Sequence, residues 1–152
     1  MSKCLKVLFL SYYFPPAPFI GCVRTWSIAK GLSRLGYEVT VVTPQPDTWL
    51  NADNPPKVVE DCKKEGIKLL YTKHYLPQLI PGSVKSRRDF IGKVWSKVCR
   101  EIAKKQHKDP YIGWYRAVEE ACAHIKPEEV DVILATGSPF FSYDLAKKLS
   151  VH

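Results

Sequence analysis

The feature that most narrows the fold is residues 6–44, KVLFLSYYFPPAPFIGCVRTWSIAKGLSRLGYEVTVVTP, which read as strand, proline-rich loop, helix and strand with almost no spare residues. Residues 7–10 are an unbroken apolar run, the composition of a strand buried on both faces of a parallel sheet. Pro15, Pro16, Pro18 and Gly21 then interrupt regular structure. Thr25, Ile28, Ala29, Leu32 and Leu35 recur at helical spacing, Gly36 supplies a stop, and residues 38–43 resume as a β-branched strand. This βαβ unit predicts a parallel sheet with the first strand at its centre, flanked by the second and fourth. In open α/β sheets ligands sit beyond the carboxyl ends of the strands, so Ser11 to Arg24 are the first functional candidates.

Downstream, residues 43–56 read as a long connection without periodicity, followed by a weak helical turn at 58–64 and a short strand at 67–71 after Gly66. Residues 75–82, YLPQLIPG, are apolar but broken by proline, and serve either as core filler or as part of an acceptor groove. A basic helix is expected over about 84–107, and a second from Gly113 or Trp114 to about Ile125, ended by Pro127. A fourth strand over 130–135 and a last helix over 141–149 complete the pattern, without the next strand of a full Rossmann-like domain. There are no repeats or low-complexity tracts.

With 152 residues the chain is long enough for one domain with its own core. Its net charge of +8 is concentrated between Lys85 and Lys108, where nine basic residues face only Asp89 and Glu101. Within this stretch Lys93, Lys97, Arg100 and Lys104 form a cationic stripe, and Ile91, Val94, Trp95, Val98 and Ile102 form an apolar helical face expected to pack inward. The stripe reads either as a solvated outer face or as a contact for an anionic membrane surface or lipid-diphosphate acceptor. No recognition helix, RNP motif or zinc finger accompanies the charge, so a nucleic-acid partner is not expected. No apolar run reaches the roughly 18–20 residues of a transmembrane helix, and no signal-peptide layout precedes the first strand. A cytoplasmic protein is expected. The odd set Cys4, Cys22, Cys62, Cys99 and Cys122 suits reduced thiols, and the four histidines show no ligand spacing, so no metal site is expected.

Gly21 either relieves a turn or lets a phosphate or sugar approach the N–H groups at a helix start. Arg24, in the first helical turn, sits beside the positive end of the helix dipole and is an anion-contact candidate. Tyr12, Tyr13, Phe14, Phe19 and Trp26 cluster in sequence around the same loop, as core or as a platform for sugar rings and prenyl chains. The turn Thr136, Gly137, Ser138 lies beyond the carboxyl end of the fourth strand. Ser138 followed by Pro139 also reads as an ordinary helix N-cap. The dinucleotide G-x-G-x-x-G and Walker patterns are absent, as are a catalytic triad and paired carboxylates with an acid–base layout. No catalytic residue is assigned.

Tyr-Phe-Pro-Pro at 13–16, Gly21, Arg24 three positions later, and Leu-Gly-Tyr-Glu-Val-Thr-Val-Val-Thr at 35–43 resemble the N-terminal domain of family 4 glycosyltransferases. Residues 109–115, DPYIGWY, and 130–139, VDVILATGSP, resemble the Gly-Trp helix start and the Asp-Val-Ile…Ser-Pro strand of that domain, and together the matches bracket nearly the whole chain. Family members are retaining, nucleotide-sugar-dependent enzymes of GT-B architecture, many of which build bacterial surface polysaccharides. The resemblance implies a three-layer α/β Rossmann-like domain with a mostly parallel sheet, equivalent to the acceptor-side half of such an enzyme. It implies that Gly21 and Arg24 face the donor diphosphate, with Tyr13, Phe14, Phe19, Thr136, Gly137 and Ser138 on the acceptor side. The implied partners are a nucleotide-sugar donor, a saccharide or lipid-linked acceptor and a C-terminal domain in cis or trans, with no further cofactor, at the inner face of a membrane. A GT-B enzyme needs two such domains, so this chain is expected to be inactive alone. Two other readings stand beside this one: a non-catalytic membrane- or subunit-binding domain, and an unrelated nucleotide-binding Rossmann-like protein.

Overall fold

The computed structural model describes residues 4–49, 52, 54–75, 79–80, 90–105, 111–137 and 140–150. Four strands, β1 (Lys6–Leu10), β2 (Glu38–Pro44), β3 (Lys68–Thr72) and β4 (Val132–Ala135), form one sheet in the order β3-β2-β1-β4. Every pairing is parallel, with Phe9 opposite Val41 on one side and Leu134 on the other. The helices are α1 (Gly21–Arg34), α2 (Pro55–Lys64), α3 (Phe90–Lys105), α4 (Ile112–Cys122) and α5 (Phe141–Leu149). The fold is thus the expected three-layer, Rossmann-like α/β arrangement with β1 inside the sheet.

Alternation along the strands separates two cores. Phe9, Val39 and Val41 pack with Phe14, Ala29, Cys62 and Ile67, on the side covered by α1 and α2. Leu8, Leu10 and Val42 pack with Trp114, Val118, Cys122 and Leu145, on the side covered by α4 and α5. Residues 7–10 are all buried, as a central parallel strand requires. Ile80 is 1 % exposed and Leu79 is also buried, so these two members of the 75–82 segment are core filler rather than groove.

Helices α1 and α2 end in the same way. Gly36 and Gly66 have φ of +90° and +71°, and the residue after each donates its N–H back into the last helical turn, Tyr37 to the Leu32 carbonyl and Ile67 to that of Cys62. The two ends are stitched together: Arg34 forks onto the Glu65 carboxylate through Nε and Nη2, both at 2.9 Å, and Lys30 Nζ adds a contact at 3.0 Å. These donors, Arg34 foremost, hold the Glu65 carboxyl below its ordinary pKa. Identical turns feed β2 and β3 into adjacent positions of the sheet.

Three details depart from the sequence expectation. α2 starts at Pro55 rather than as a weak turn at Val58, because Pro55 and Pro56 occupy the first helical positions, where a missing N–H costs nothing, and the Asn54 side chain accepts from Lys57 N at 3.3 Å. Leu35 lies just past the end of α1 and is exposed. The apolar face of α3 points to solvent instead of packing inward: Ile91 is 78 % and Trp95 62 % exposed, and no described residue of α3 joins either core.

A Cβ at Gly36 would meet no neighbour, so its cost is conformational. Gly36→Ala is expected to destabilise by about 1–2 kcal/mol, whereas Gly31→Ala, on the exposed face of α1, stabilises by about 1 kcal/mol. Urea unfolding of both variants checks the pair, and equal effects of one sign would refute the helix-end account.

Candidate functional site

From β1 the chain crosses through α1 to β2 on one side, while β4 pairs on the other. The β1–α1 and β4–α5 connections therefore part at the carboxyl ends of β1 and β4, the switch point where open α/β sheets take ligands. A cleft of about 240 Å³ opens there, lined by Tyr13, Phe19, Gly21, Arg24, Thr25, Thr136 and Gly137. Six of these seven are candidates named from sequence, brought together from two connections more than a hundred residues apart in the chain. Larger hollows of about 420 and 560 Å³ lie along Leu8, Ile125 and Val130, the first reaching Lys6 and Glu38 at the amino ends of the strands. The smaller cleft is the better site because strand carboxyl ends and a helix start converge on it.

The loop before α1 is held by its own carbonyls and hydroxyls. The Tyr13 carbonyl accepts from Thr25 Oγ1 at 2.7 Å and from Ser11 Oγ at 3.1 Å, and the Pro15–Pro16 bond is cis. Thr25 also donates to the Cys22 carbonyl at 3.1 Å. Sequence reasoning placed Thr25 on the apolar face of α1 and missed this second role; it is buried, as that periodicity required, but its hydroxyl ties the loop to the helix. α1 carries no acidic residue in its first turn and no side-chain cap, so neither offsets its positive end. Arg24 is exposed, and among the described residues no carboxylate pairs with it.

The two glycines of the cleft differ in what the fold asks of them. A Cβ at Gly21 meets nothing within 4 Å, and its φ is not left-handed, so the fold does not itself require glycine there. A Cβ at Gly137 would approach the Tyr143 hydroxyl to 2.9 Å, so Gly137 makes room for that ring. Thr136, whose N–H reaches the Leu10 carbonyl at 3.3 Å, continues the β4 pairing into the cleft wall.

Under this cleft stands an aromatic cluster. Tyr12, fully buried, meets Tyr13, Trp49, His74, Tyr111 and Trp114 edge-on at 4.8 to 5.9 Å between centroids. Tyr13 bonds the Tyr111 hydroxyl at 2.9 Å and meets Phe19 at 5.0 Å. Burial, then the hydrogen bond shared with Tyr111, raises the Tyr13 phenol far above its ordinary pKa, so it stays protonated. Trp114 Nε1 donates to Thr72 Oγ1 at 3.0 Å, and Thr72 donates to the Thr43 carbonyl at 3.3 Å.

One described candidate does not join the cleft as expected. Phe14 is 1 % exposed and packs against Trp26 in the α1 and α2 core, because the sheet face beneath the loop offers it a deeper apolar environment than the cleft does. Ser138 lies outside the described residues, and α5 begins at Phe141 with Phe140 as its N-cap, later than a Ser138 cap would place it. Lys93, Lys97 and Lys104 are exposed on α3 and line no part of the cleft. Arg100 is half-buried, on the side of α3 that faces the rest of the chain, and so is not part of a fully exposed stripe.

Among the described residues no group of three His, Cys, Asp or Glu side chains comes together to hold a metal ion. Burial pushes the Cys62 and Cys122 thiols up to about 11, so neither is a nucleophile near neutral pH. No protein-family model, curated protein or solved structure matches the chain.

Burial pushes the His74 imidazole down from 6.5 to about 4, so the fold favours its neutral form. The unfolded chain takes up that proton near pH 6.5. Stability is therefore fully present above about pH 6.5, falls as pH drops towards 4 and levels off below, by on the order of 3 kcal/mol in total. Denaturant unfolding across this range should show a shallower slope for His74→Gln than for the parent chain. Parallel slopes would place the imidazole in contact with water.

Proposed function

We propose that this chain is the acceptor-side domain of a GT-B-type glycosyltransferase of polysaccharide or glycoconjugate biosynthesis. It supplies one wall of the cleft in which a glycosyl unit passes from a nucleotide-sugar to a saccharide or lipid-linked acceptor at the cytoplasmic face of a membrane. The observation that supports this reading is the switch-point cleft, where a helix start, a cation and aromatic rings converge. The start of α1 and Arg24 suit the donor diphosphate. The rings of Tyr13 and Phe19 suit the apolar face of a sugar.

The cleft's size is consistent with a half-site. At about 240 Å³ it is below the roughly 300–1,000 Å³ of pockets that enclose a whole ligand, and fits a phosphate group or one sugar ring. Among the described residues its lining contains no Asp, Glu or His, so in this reading the wall positions and neutralises charge while a general base comes from elsewhere. A second α/β domain, in cis or in trans, supplies the opposite wall and most of the nucleotide contacts.

Titration of the labelled chain with a panel of nucleotide-sugars, followed by amide chemical shifts, tests the reading. The expected affinity is about millimolar, because a one-walled cleft neither excludes water nor clamps the donor. Shifts should concentrate at Tyr13, Gly21, Arg24 and Gly137, and Arg24→Gln should weaken binding about tenfold without changing stability. Micromolar affinity of this chain alone would instead favour an unrelated nucleotide-binding protein, and shifts confined to other surfaces would remove the cleft from consideration.

A further inference from the structure

Helix α3 rests on the rest of the chain through its small side chains. Ser96 is 1 % exposed and Gly92, Cys99 and Ala103 are half-buried on the same side. At 3.6 residues per turn this turns Phe90, Ile91, Val94, Trp95, Val98 and Ile102 outward, with exposures from 42 to 81 %. Scattered exposed apolar residues are ordinary, but six on one helix form a contiguous ridge of the kind that marks an interaction surface. Lys93, Lys97 and Lys104 flank the ridge, and Lys105 lies within it. Glu101, paired with Lys104 at 2.9 Å, is the helix's one carboxylate, and among the described residues none pairs with Lys93 or Lys97.

We infer that α3 docks the protein on an anionic lipid surface, lying in the membrane plane with its apolar ridge among the acyl chains and its lysines on the headgroups. This inference rests on α3 alone and is independent of what the cleft binds. The helix cannot cross a bilayer: its sixteen residues span about 24 Å, short of a core about 30 Å thick, and no described helix is long and apolar enough to do so. A long apolar face containing a tryptophan and a phenylalanine, with lysines reaching up beside it, is instead the pattern of an interfacial helix. A second copy fits less well. A two-fold pairing of the ridge would bring the flanking lysines of both copies together with one glutamate each to offset them.

Vesicle co-sedimentation tests this, comparing phosphatidylglycerol and phosphatidylcholine in equal parts with phosphatidylcholine alone. The chain is expected to bind the anionic vesicles at low salt and to be released by molar salt. Replacing Lys93, Lys97 and Lys104 together by Gln should lower partitioning about 100-fold. Replacing Val94, Trp95 and Val98 together by Ser should abolish insertion while leaving the circular dichroism unchanged, since all three are exposed. Quenching by brominated lipid reports on the parent chain directly and should disappear in Trp95→Phe, which retains Trp26, Trp49 and Trp114. Failure of the parent chain to sediment at low salt would overturn the inference. So would binding indifferent to the apolar substitutions, or a dimer in sedimentation equilibrium that those substitutions dissolve without any lipid binding.

Discussion

The pairing of β1 with β2 on one side and β4 on the other is the constraint on which the rest of the structure depends. A strand whose successive residues are all apolar cannot leave either face in water, so helices must cover both sides of the sheet. Parallel neighbours in turn require long crossovers, and these cannot all leave in the same direction. The parting of the β1–α1 and β4–α5 connections, and hence the cleft, is a by-product of how residues 7–10 are buried. Removing the Phe9 ring, fully buried between α1, α2 and the sheet, would cost about 3–5 kcal/mol and loosen the same register that aligns Thr136 with Leu10.

What gives the cleft a firm floor is the continuation of β1 into Tyr12. Its ring touches residues contributed after β2, after β3 and at the start of α4, so segments that would otherwise move independently share one packed centre. The chain of bonds from Trp114 through Thr72 to the Thr43 carbonyl fixes the same region in polar terms. Tyr13, one residue further on, lies at the rim, its carbonyl held by Thr25 and its hydroxyl bonded to Tyr111. Successive residues of the loop after β1 thus divide the work, Tyr12 as foundation and Tyr13 as surface.

This division explains which parts of the site were legible in the sequence. β-branched and apolar runs located all four strands, most clearly β1 and β2, whose burial is nearly continuous; Gly36 marked the end of α1 and Gly66 the approach to β3, and both adopt the left-handed φ that favours glycine. Gly21, Arg24, Thr136 and Gly137 could be named because the switch-point rule depends on topology, which those strands determine. Side-chain direction within the loop was not legible: Tyr12, Tyr13 and Phe14 are consecutive large rings in irregular backbone, where no period tells inside from outside. The contributions of Thr25, Tyr111 and His74 were invisible for a related reason, since each acts through a contact distant in sequence.

Helix α3 shows the opposite failure. Its amphipathic pattern is real, yet its apolar face points outward, because pattern alone fixes a face and not what it meets. The structure seats the helix on Gly92, Ser96, Cys99 and Ala103, a face too small in side-chain volume to be told from filler by hydropathy. Among the described residues both cores are built from the other elements, and the large apolar residues of α3 join neither. A helix that the core does not need gains nothing within the fold from a ridge of six exposed apolar side chains edged by lysines. A surface beyond the described residues would make such a composition favourable, and the lysines along one edge of the ridge are the reason an anionic one is proposed for α3.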